Sequence, residues 1–575
     1  MNRRHFLKAA GAAAISAATV GCAGQGQTRT GTPRKNARSP NVILVITDDQ
    51  GYYDLSCHGN PHLKTPHLDW LHANSTRLEN FHVDPTCAPT RSALMTGRYS
   101  SRVGVWHTII GRHFLAADET TMADVFSKAG YATAIFGKWH LGDNYPFRPQ
   151  DRGFQEVLIN GGGGVGQGPD FWGNDYFDDT YFHNGRPQAY TGYCTDVWFG
   201  EAMKWTEANR NRPFFCYLTT NAPHGPYNVA EEYWKPFAEK GVKENQARFY
   251  GMVKNIDDNM GRLDAHLRRL GIEENTILIF MTDNGTSAGM QGAMRGRKGS
   301  EYDGGHRVPL FIRWPAGLEP RGDIDHVTAH VDVLPTLIDL CGLPAPKGVT
   351  FDGTSLGPLL RGDAAWPDRT LFVHSQRIDH PQEWRKCAVM TNRWRLVNGK
   401  ELFDIQADAE QKTDLAKEHP DVVAGFRKAY EAWYQDIGAR FDDYCRIVLG
   451  SEHENPMHIV AHDWHPTEGA CPWSQSHVRR QNLYVNGWWA VEVARAGTYR
   501  ITLRPAPKEA GFALNADQAR LAIGKADQTK KTNPQDKAVT FEVKLAAGPC
   551  RLQTWLTDTK TRKTRGAFDL VVERV

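Results

Sequence analysis

The stretch Val42-Ile-Leu-Val-Ile-Thr47-Asp48-Asp49 joins a short apolar run to two adjacent carboxylates. A run of this kind predicts a strand that is buried on both faces of a sheet. A second stretch has the same design, because Thr276-Ile-Leu-Ile-Phe-Met-Thr282 ends in Asp283-Asn284. Since functional groups gather at the carboxyl ends of the strands in such a sheet, we expect both polar pairs at one edge of it.

Strands and helices alternate between and around these two runs. The apolar patterns predict helices at 121–129 and 248–270, and strands at 132–136 and 214–218. The sequence therefore predicts the α/β fold class, with a large mixed, mostly parallel sheet sandwiched by helices over residues 41–349.

The pattern changes after residue 349. Residues 350–446 predict a smaller subdomain of antiparallel sheet plus helix, with its strands and its helix at 370–374, 387–397, 401–405 and 419–437. From 447 to 575 short alternating segments predict a separate β-rich accessory module, similar to a β-sandwich.

The N-terminus predicts export. Arg3-Arg4 is followed by Phe-Leu-Lys and by an Ala/Gly-rich apolar stretch that is too short to span a bilayer, so residues 1–23 are predicted to be a twin-arginine signal. Residues 24–40 predict a flexible linker. Lipoprotein processing at Cys22 and ordinary cleavage after Ala23 both stay open. We expect a bacterial protein of the periplasm, the cell surface or the medium, with the twin-arginine machinery as partner and membrane contact only through lipidation at Cys22.

Composition excludes some functions. Seven of the 68 basic residues precede residue 39 with no acid among them, so the rest of the chain has a net charge of −4. This balance lacks the basic footprint of a nucleic-acid-binding protein. The ten cysteines include no CxxC pair and are widely scattered, which argues against a zinc site or a dense disulfide framework.

One cysteine lies in a distinctive segment, Pro85-Thr-Cys87-Ala-Pro89-Thr-Arg91-Ser-Ala-Leu-Met-Thr-Gly-Arg98. Pro89 fits the first turn of a helix, where its missing N–H would have no partner anyway. This places Cys87 at a helix N-terminus, in a positive field that suits a nucleophile and an anionic substrate. A lone cysteine without these neighbours would more often be a core residue.

Cys-x-Pro-x-Arg with the Ser-Ala-Leu-Met-Thr-Gly-Arg tail resembles the signature of the type I sulfatases, which are arylsulfatase-like members of the alkaline-phosphatase-like superfamily. The resemblance implies that Cys87 becomes formylglycine, made by a formylglycine-generating or sulfatase-maturating enzyme as partner. It also implies that Arg91 orients the hydrated aldehyde. One hydroxyl of the hydrate would attack sulfur, and the other would later expel inorganic sulfate.

Asp48, Asp49 and Asp283 would repel one another without a cation. With Asn284 they form an all-oxygen set, which favours Ca²⁺ ahead of Mg²⁺ because calcium accepts more carboxylates and irregular geometry. A single Asp-Asp pair after a strand would rather indicate helix capping. The resemblance assigns the metal role to these four residues and to the modified Cys87.

Three further motifs match the family. Gly137-Lys138-Trp-His140 places a lysine and a histidine on one side of an extended segment. By resemblance, Lys138 binds sulfate and His140 is the base that frees the aldehyde. The resemblance also makes His224 the proton donor to the departing oxygen and Lys298 a second contact to sulfate.

The substrate is less defined by the sequence. We expect a sulfated carbohydrate or an aryl sulfate. A glycine-rich and aromatic loop is suited either to bordering a sugar site or to packing on the surface, and both alternatives stay open; its residues are Gly161–Gly164, Trp172, Tyr176, Phe177 and Tyr181. Further candidates for substrate contacts are Trp106, His107, His113 and His306. His462 and His465 indicate polar packing rather than a metal site. Two alternatives are a phosphodiester or phosphonate monoester hydrolase of the same superfamily and a noncatalytic glycan-binding protein.

Overall fold

A ten-stranded mixed sheet carries both polar pairs. The computed structural model describes residues 39–363 and 366–575; the predicted signal, Cys22 and the predicted linker up to residue 38 lie outside the described residues. In spatial order the strands are Gly322–Ile324, Thr76–Leu78, Leu310–Arg313, Thr276–Thr282, Asn41–Thr47, Phe214–Thr219, Ala132–Lys138, Glu156–Asn160, Thr180–His183 and Arg186–Ala189. The five strands from Thr276–Thr282 to Glu156–Asn160 are parallel to one another.

Both faces of the central strand Asn41–Thr47 are covered, which explains its uninterrupted apolar sequence. Leu44 and Ile46 pack in one apolar cluster with Leu94 and Phe126. Ile43 and Val45 lie in a second cluster with residues of the helices on the opposite face, among them Trp198, Ile256 and Leu263. The predicted fold class, an α/β sheet between layers of helices, is confirmed.

The helices complete these layers and the rest of the fold. They are Pro66–Ala73, Cys87–Thr96, Met122–Lys128, Cys194–Asn209, Glu231–Ala238, Glu244–Leu270, Asp303–His306, Val333–Cys341, Gly357–Arg361, Pro420–Ile437 and Gln475–Arg479. Short 3-10 turns occur at Ser56–His58, Pro149–Asp151, His330–Asp332, Gly438–Arg440, Ala461–Asp463 and Lys508–Ala510. In the described part of the chain, none of the helices has both the length and the apolar character needed to cross a membrane.

A four-stranded antiparallel sheet follows, with the strands Leu371–His374, Cys387–Met390, Trp394–Val397 and Glu401–Asp404. The stretch 387–397, predicted as one strand, is a hairpin of two strands. The turn forms because the N–H of Thr391 donates to the carbonyl of Trp394 at 3.0 Å. Helix Pro420–Ile437 packs on this sheet through Tyr430 and Trp433.

The C-terminal residues form two β-sheets around one apolar core, as in a sandwich. A seven-stranded sheet contains Ile447–Leu449, Asn486–Val493, Gly548–Asp558, Gln518–Ile523, Ala526–Lys531, His465–Glu468 and Lys563–Arg565. A four-stranded sheet contains Met457–Val460, Asp569–Arg574, Gly497–Arg504 and Val539–Leu545. The core of this sandwich also contains Ile110, Phe114 and Phe147. The sandwich therefore packs directly against the segments on either side of the motif that contains Lys138 and His140.

A short two-stranded sheet, Phe81–His82 with Thr328–Ala329, completes the strands of the described residues.

Candidate active site

The register of two parallel strands brings the polar pairs together. Thr47 lies opposite Thr282, so the residues that follow them leave the sheet side by side. The N–H of Asp49 donates to the Asp283 carboxylate at 3.0 Å. Asp49 has a φ of 68°, a left-handed conformation that aspartate tolerates better than most residues. Asp48, Asp49, Asp283 and the Cys87 sulfur are mutually close enough for one ion.

Cys87 begins helix Cys87–Thr96, as Pro89 predicts, and its side chain is buried. The sulfur lies 3.5 Å from Oδ1 of Asp48 and 4.0 Å from Oδ1 of Asp49. Burial raises the pKa of the thiol to about 12, so it stays protonated at neutral pH. Its neighbours are carboxylates rather than apolar side chains, which distinguishes Cys87 from an ordinary core cysteine.

Each of the three carboxylates is paired with one cation. Lys138 Nζ lies 2.7 Å from Oδ2 of Asp48, and neither side chain is exposed. Lys298 Nζ lies 2.6 Å from Oδ1 of Asp49.

Arg91 Nη2 lies 2.8 Å from Oδ2 of Asp283, and Nη1 of the same guanidinium bonds the carbonyl of Lys138 and the hydroxyl of Thr219. Buried charges require partners of this kind. The pairs fix three of the predicted catalytic side chains around Cys87.

The site has the side-chain chemistry of a metal centre. Burial, and then the charge of Asp48, raises the pKa of Asp283 to about 6. Asn284 donates from Nδ2 to Asp49 at 2.9 Å, whereas its buried Oδ1 has no hydrogen-bond partner within the described residues. An amide oxygen without a donor, beside three carboxylates, is suited to a cation.

His224 is held by its backbone and by one ring nitrogen. Nδ1 lies 2.6 Å from the carbonyl of Gly225, so it carries the hydrogen and leaves Nε2 free, 3.8 Å from Oδ2 of Asp49. The hydroxyl of Tyr176 donates to the His224 carbonyl at 2.7 Å. Burial, and then the charge of Lys298, lowers the pKa of His224 to about 4.

His140 is buried, with a φ of 63°. Its Nε2 donates to the carbonyl of Thr108 at 2.8 Å, while Nδ1 has no partner in the described chain. Gly163 lies against this ring, because a Cβ at that position would be 2.2 Å from Cε1 of His140. Burial, and then the charge of Lys138, lowers the pKa of His140, so the ring is neutral and Nδ1 is free to accept a proton.

A network that the sequence did not reveal supports His140. The ring of His113 lies 5.9 Å from that of His140 and 5.0 Å from that of His462, centroid to centroid. Asp463 accepts from His462 Nδ1 at 2.7 Å and lies 3.4 Å from Nε2 of His113. His462 and Asp463 belong to the C-terminal module. The only sequence signal for this network was the close spacing of His462 and His465. His465 does not belong to the network, because its Nδ1 lies 3.2 Å from the carboxylate of Asp379.

Several residues expected to contact substrate are placed elsewhere. Trp106 is buried and donates to the carbonyl of Ile378 at 3.1 Å, and His306 is buried beside His82 at 2.9 Å. The network above buries His113 completely.

In the aromatic loop, most of the aromatic side chains pack against the protein. Tyr176 and Tyr181 are buried, and Trp172 packs with Phe512 and Arg479, so these aromatic side chains do not line the Lys298 cavity described below. Phe177 remains exposed. The loop reaches the site through its glycines instead, with Gly163 against His140 and Gly164 against His224.

Comparison with known proteins identifies the family of this chain. A family model described as Sulfatase matches residues 40–343, and one described as N-sulphoglucosamine sulphohydrolase, C-terminal, matches 297–430. Human arylsulfatase A is 32% identical over 412 residues, 65% of this chain and 78% of that protein. Human N-acetylgalactosamine-6-sulfatase is 32% identical over 371 residues, 58% of this chain and 68% of that protein.

Among solved structures, Ps i-CgsB in complex with k-i-k-neocarrahexaose has a TM-score of 0.63 and 28% identity, covering 69% of this chain and 93% of that chain.

The fold and the site thus define an esterase-type hydrolase of the alkaline-phosphatase-like superfamily that acts on sulfuric esters. The chain belongs to the sulfatase family. The resemblance given by the Cys87 segment is therefore confirmed, and the enzyme hydrolyses sulfate esters. The C-terminal module from residue 447 lies outside both family matches.

Proposed function

We propose that this enzyme removes sulfate from sulfated carbohydrates, using a formylglycine made from Cys87 and a bound Ca²⁺. The observation that carries the proposal is the contact of the Cys87 sulfur with Asp48 and Asp49, beside Lys138 and Lys298. A carbohydrate substrate is supported by the oligosaccharide with which Ps i-CgsB was solved.

The residues present fit a calcium ion. Asp48, Asp49, Asp283 and Asn284 offer oxygen atoms only, and residue 87 would add another after its conversion. The unpartnered Asn284 Oδ1 would cost about 1–3 kcal/mol if it stayed unsatisfied. When bound, the ion supplies positive charge that favours ionisation of a hydroxyl and stabilises sulfate oxygens.

Arg91 is suited to orienting residue 87. Its two terminal nitrogens are held by Asp283, Thr219 and the carbonyl of Lys138. Its buried Nε has no partner within the described chain, so one donor is available to an oxygen on residue 87, one helical turn earlier. The aldehyde, once hydrated, supplies a geminal diol as nucleophile in place of sulfur.

The two lysines would bind the sulfate group. Each ammonium group lies on a carboxylate that the Cys87 sulfur also approaches, so both cations are already held beside residue 87 when an anionic substrate enters. Charge that builds on the sulfate oxygens during attack is then stabilised by fixed cations.

The two histidines would have opposite roles in proton transfer. His224 is neutral before substrate binds, with its hydrogen on Nδ1. A negatively charged ester beside it would raise its pKa, so that Nε2 takes up a proton from solvent and passes it to the departing oxygen. The unpartnered Nδ1 of His140 can accept the proton that must leave residue 87 before sulfate is released.

We also propose twin-arginine export, so that the enzyme meets its substrate outside the cytoplasm. Arg3-Arg4 and the apolar stretch after them support this proposal. A fusion of residues 1–38 to a reporter is expected to be exported, and replacement of Arg3-Arg4 by lysines is expected to retain the reporter in the cytoplasm.

The function is tested by comparing esters. The protein, matured by a formylglycine-generating enzyme, is expected to release inorganic sulfate from an aryl sulfate and from sulfated mono- and disaccharides. An aryl phosphodiester of the same leaving group is expected to react much more slowly. Faster hydrolysis of the phosphodiester would instead favour the phosphodiester or phosphonate hydrolase.

A further inference from the structure

A cavity of about 480 Å³ adjoins the catalytic site at Lys298. Its other walls come from the loop 375–386 of the smaller subdomain, from His107 and from residues 470–473 of the C-terminal module. Four parts of the chain that are distant in sequence therefore meet at this cavity. An ester whose sulfate is bound beside Lys298 would extend its remaining groups into this space.

The cavity is strongly basic. Arg377, Arg385 and Lys386 line it together with Lys298, and its described lining includes no aspartate or glutamate. Within residues 39–363 and 366–575, Arg377 forms no ion pair, and Lys386 bonds only the carbonyl of Gly299, at 3.4 Å. Unpaired cations that face one cavity repel each other, so the arrangement is favourable when an anion binds between them.

The loop that carries these cations is held in a fixed conformation. Buried Gln376 donates to the carbonyls of Gln382 and Arg385, both at 3.2 Å, and accepts from the N–H of Gln382 at 2.8 Å. Arg377 and Lys386 have positive φ angles of 45° and 42°, which side chains other than glycine rarely adopt. The loop is thus braced in a disfavoured conformation that presents its cations to the cavity.

Arg385 has free donors in this loop. Its Nε bonds the carbonyl of Gln376 at 3.0 Å, whereas its terminal nitrogens have no partner in the described chain. A guanidinium that is fixed by Nε can offer both terminal nitrogens to one carboxylate or sulfate group.

An exposed aromatic side chain lies beside the cations. Trp473 is 39% exposed, an unusual state for a tryptophan in the described structure. Its carbonyl accepts from the N–H of Gly168 at 2.8 Å, and the N–H of Gln475 donates to Gly166 at 3.0 Å, so the segment is fixed to the glycine-rich loop. A rigid aromatic face next to polar donors is suited to a sugar ring with its apolar C–H face.

We propose that this cavity is a second anion-binding subsite, which holds an additional sulfate or carboxylate group of a glycan while Trp473 stacks on one of its sugar rings. The inference rests on the proposed function and narrows the substrate to glycans with at least two anionic groups. It also gives the C-terminal module a role in substrate binding.

The test compares the specificity ratio of four proteins. The ratio is kcat/KM for a disaccharide that carries two sulfates divided by kcat/KM for an aryl sulfate. In Arg377→Ala and Lys386→Ala the ratio is expected to fall about tenfold or more, as the loss of a charge-assisted hydrogen bond predicts, mainly through KM. In the control Lys544→Ala, an exposed lysine of strand Val539–Leu545, it is expected to equal the wild-type ratio.

Two further experiments test which anionic group the cavity binds and whether Trp473 stacks on a sugar ring. In the first experiment, a second disaccharide carries one sulfate and one uronic carboxylate instead of two sulfates. The disaccharide whose specificity ratio falls more in Arg377→Ala and Lys386→Ala identifies the anionic group that the cavity prefers. In the second experiment, Trp473→Ala is expected to raise KM for the disaccharides. Trp473→Phe keeps an aromatic ring, so its KM is expected to lie close to the wild-type value. Unchanged ratios in all of the cavity variants would overturn the subsite alone, whereas failure of the wild type to hydrolyse any sulfate ester would overturn the proposed function.

Discussion

The ammonium of Lys138 lies 2.7 Å from the carboxylate of Asp48, and neither side chain is exposed to solvent. Lys138 ends the strand Ala132–Lys138, and Asp48 follows the strand Asn41–Thr47, with one strand between them. A predicted sulfate-binding residue is thus paired with a predicted metal ligand. The pair links the stability of the site to its chemistry, because removal of either charge leaves the other buried.

Lys138→Met tests this link. Activity is expected to fall about 10²- to 10³-fold, because a fixed cation at the sulfate is lost. Stability is expected to fall by about 3–5 kcal/mol without calcium, because the Asp48 carboxylate is left unpaired. Calcium is expected to recover part of that stability, measured as Tm with and without the ion. Lys204→Met, at an exposed lysine, is the control; an equal calcium response in both variants would contradict the account.

Asn284→Ala tests the metal site. The variant lacks the amide oxygen that has no partner in the described structure, so a higher calcium concentration is expected to be needed for half-maximal activity after chelator treatment. Isothermal titration calorimetry compares the calcium affinity of the variant with that of the wild type independently of activity. Asn482→Ala, at an exposed position, is expected to bind calcium as the wild type does. Equal affinities in the two variants would exclude Asn284 as a ligand.

Gly163→Ala tests the position of His140. The added Cβ would meet the imidazole at 2.2 Å, so the ring must move and kcat is expected to fall about 10²-fold. The backbone at Gly163 does not require glycine, since its φ is not in the left-handed region. Gly200→Ala is the matched control, because its Cβ would meet nothing within 4 Å. A normal kcat in Gly163→Ala would show that His140 tolerates displacement.

Asp463→Asn tests the support that the C-terminal module gives to the site. Burial alone would raise the pKa of Asp463, but the imidazoles of His113 and His462 beside it lower the pKa to about 2, below its ordinary value of 3.8. A lowered folded-state pKa contributes stability that is present above pH 3.8 and is lost as the pH falls through 2, here about 2 kcal/mol.

The free energy of unfolding of Asp463→Asn is therefore expected to lie below that of the wild type by about 2 kcal/mol at pH 6, and by roughly half of that difference at pH 3. Denaturant titration at the two pH values measures it. Asp527→Asn, at an exposed aspartate, is the control. A difference that stays constant between the two pH values would show that the carboxylate is not the titrating group.

Much of the site is predictable from sequence because its residues follow the ends of parallel strands. The apolar runs locate the strands, and the register of Thr47 with Thr282 makes the polar pairs neighbours. The Cys87 segment adds a helix start that Pro89 marks locally. Each of these features depends on a few consecutive residues.

The remaining features depend on contacts between distant segments, for which the sequence carries no local signal. His462 and Asp463 meet His113 only because the C-terminal sandwich packs on the residues around Phe114 and Phe147. Tyr176 was a candidate for a sugar contact, with packing as the alternative, because it is aromatic and follows a glycine-rich loop. It is buried, with its hydroxyl bonded to the His224 carbonyl.

The central claim is that residue 87 acts as an aldehyde and not as a thiol. The direct measurement is mass spectrometry of the peptide that contains Cys87, together with sulfate release by the same preparations at different extents of maturation. We predict that sulfate release rises in proportion to the fraction of aldehyde, that Cys87→Ala releases none, and that Cys216→Ala, at another buried cysteine, remains active. Equal sulfate release by a preparation in which residue 87 is entirely thiol would contradict the account.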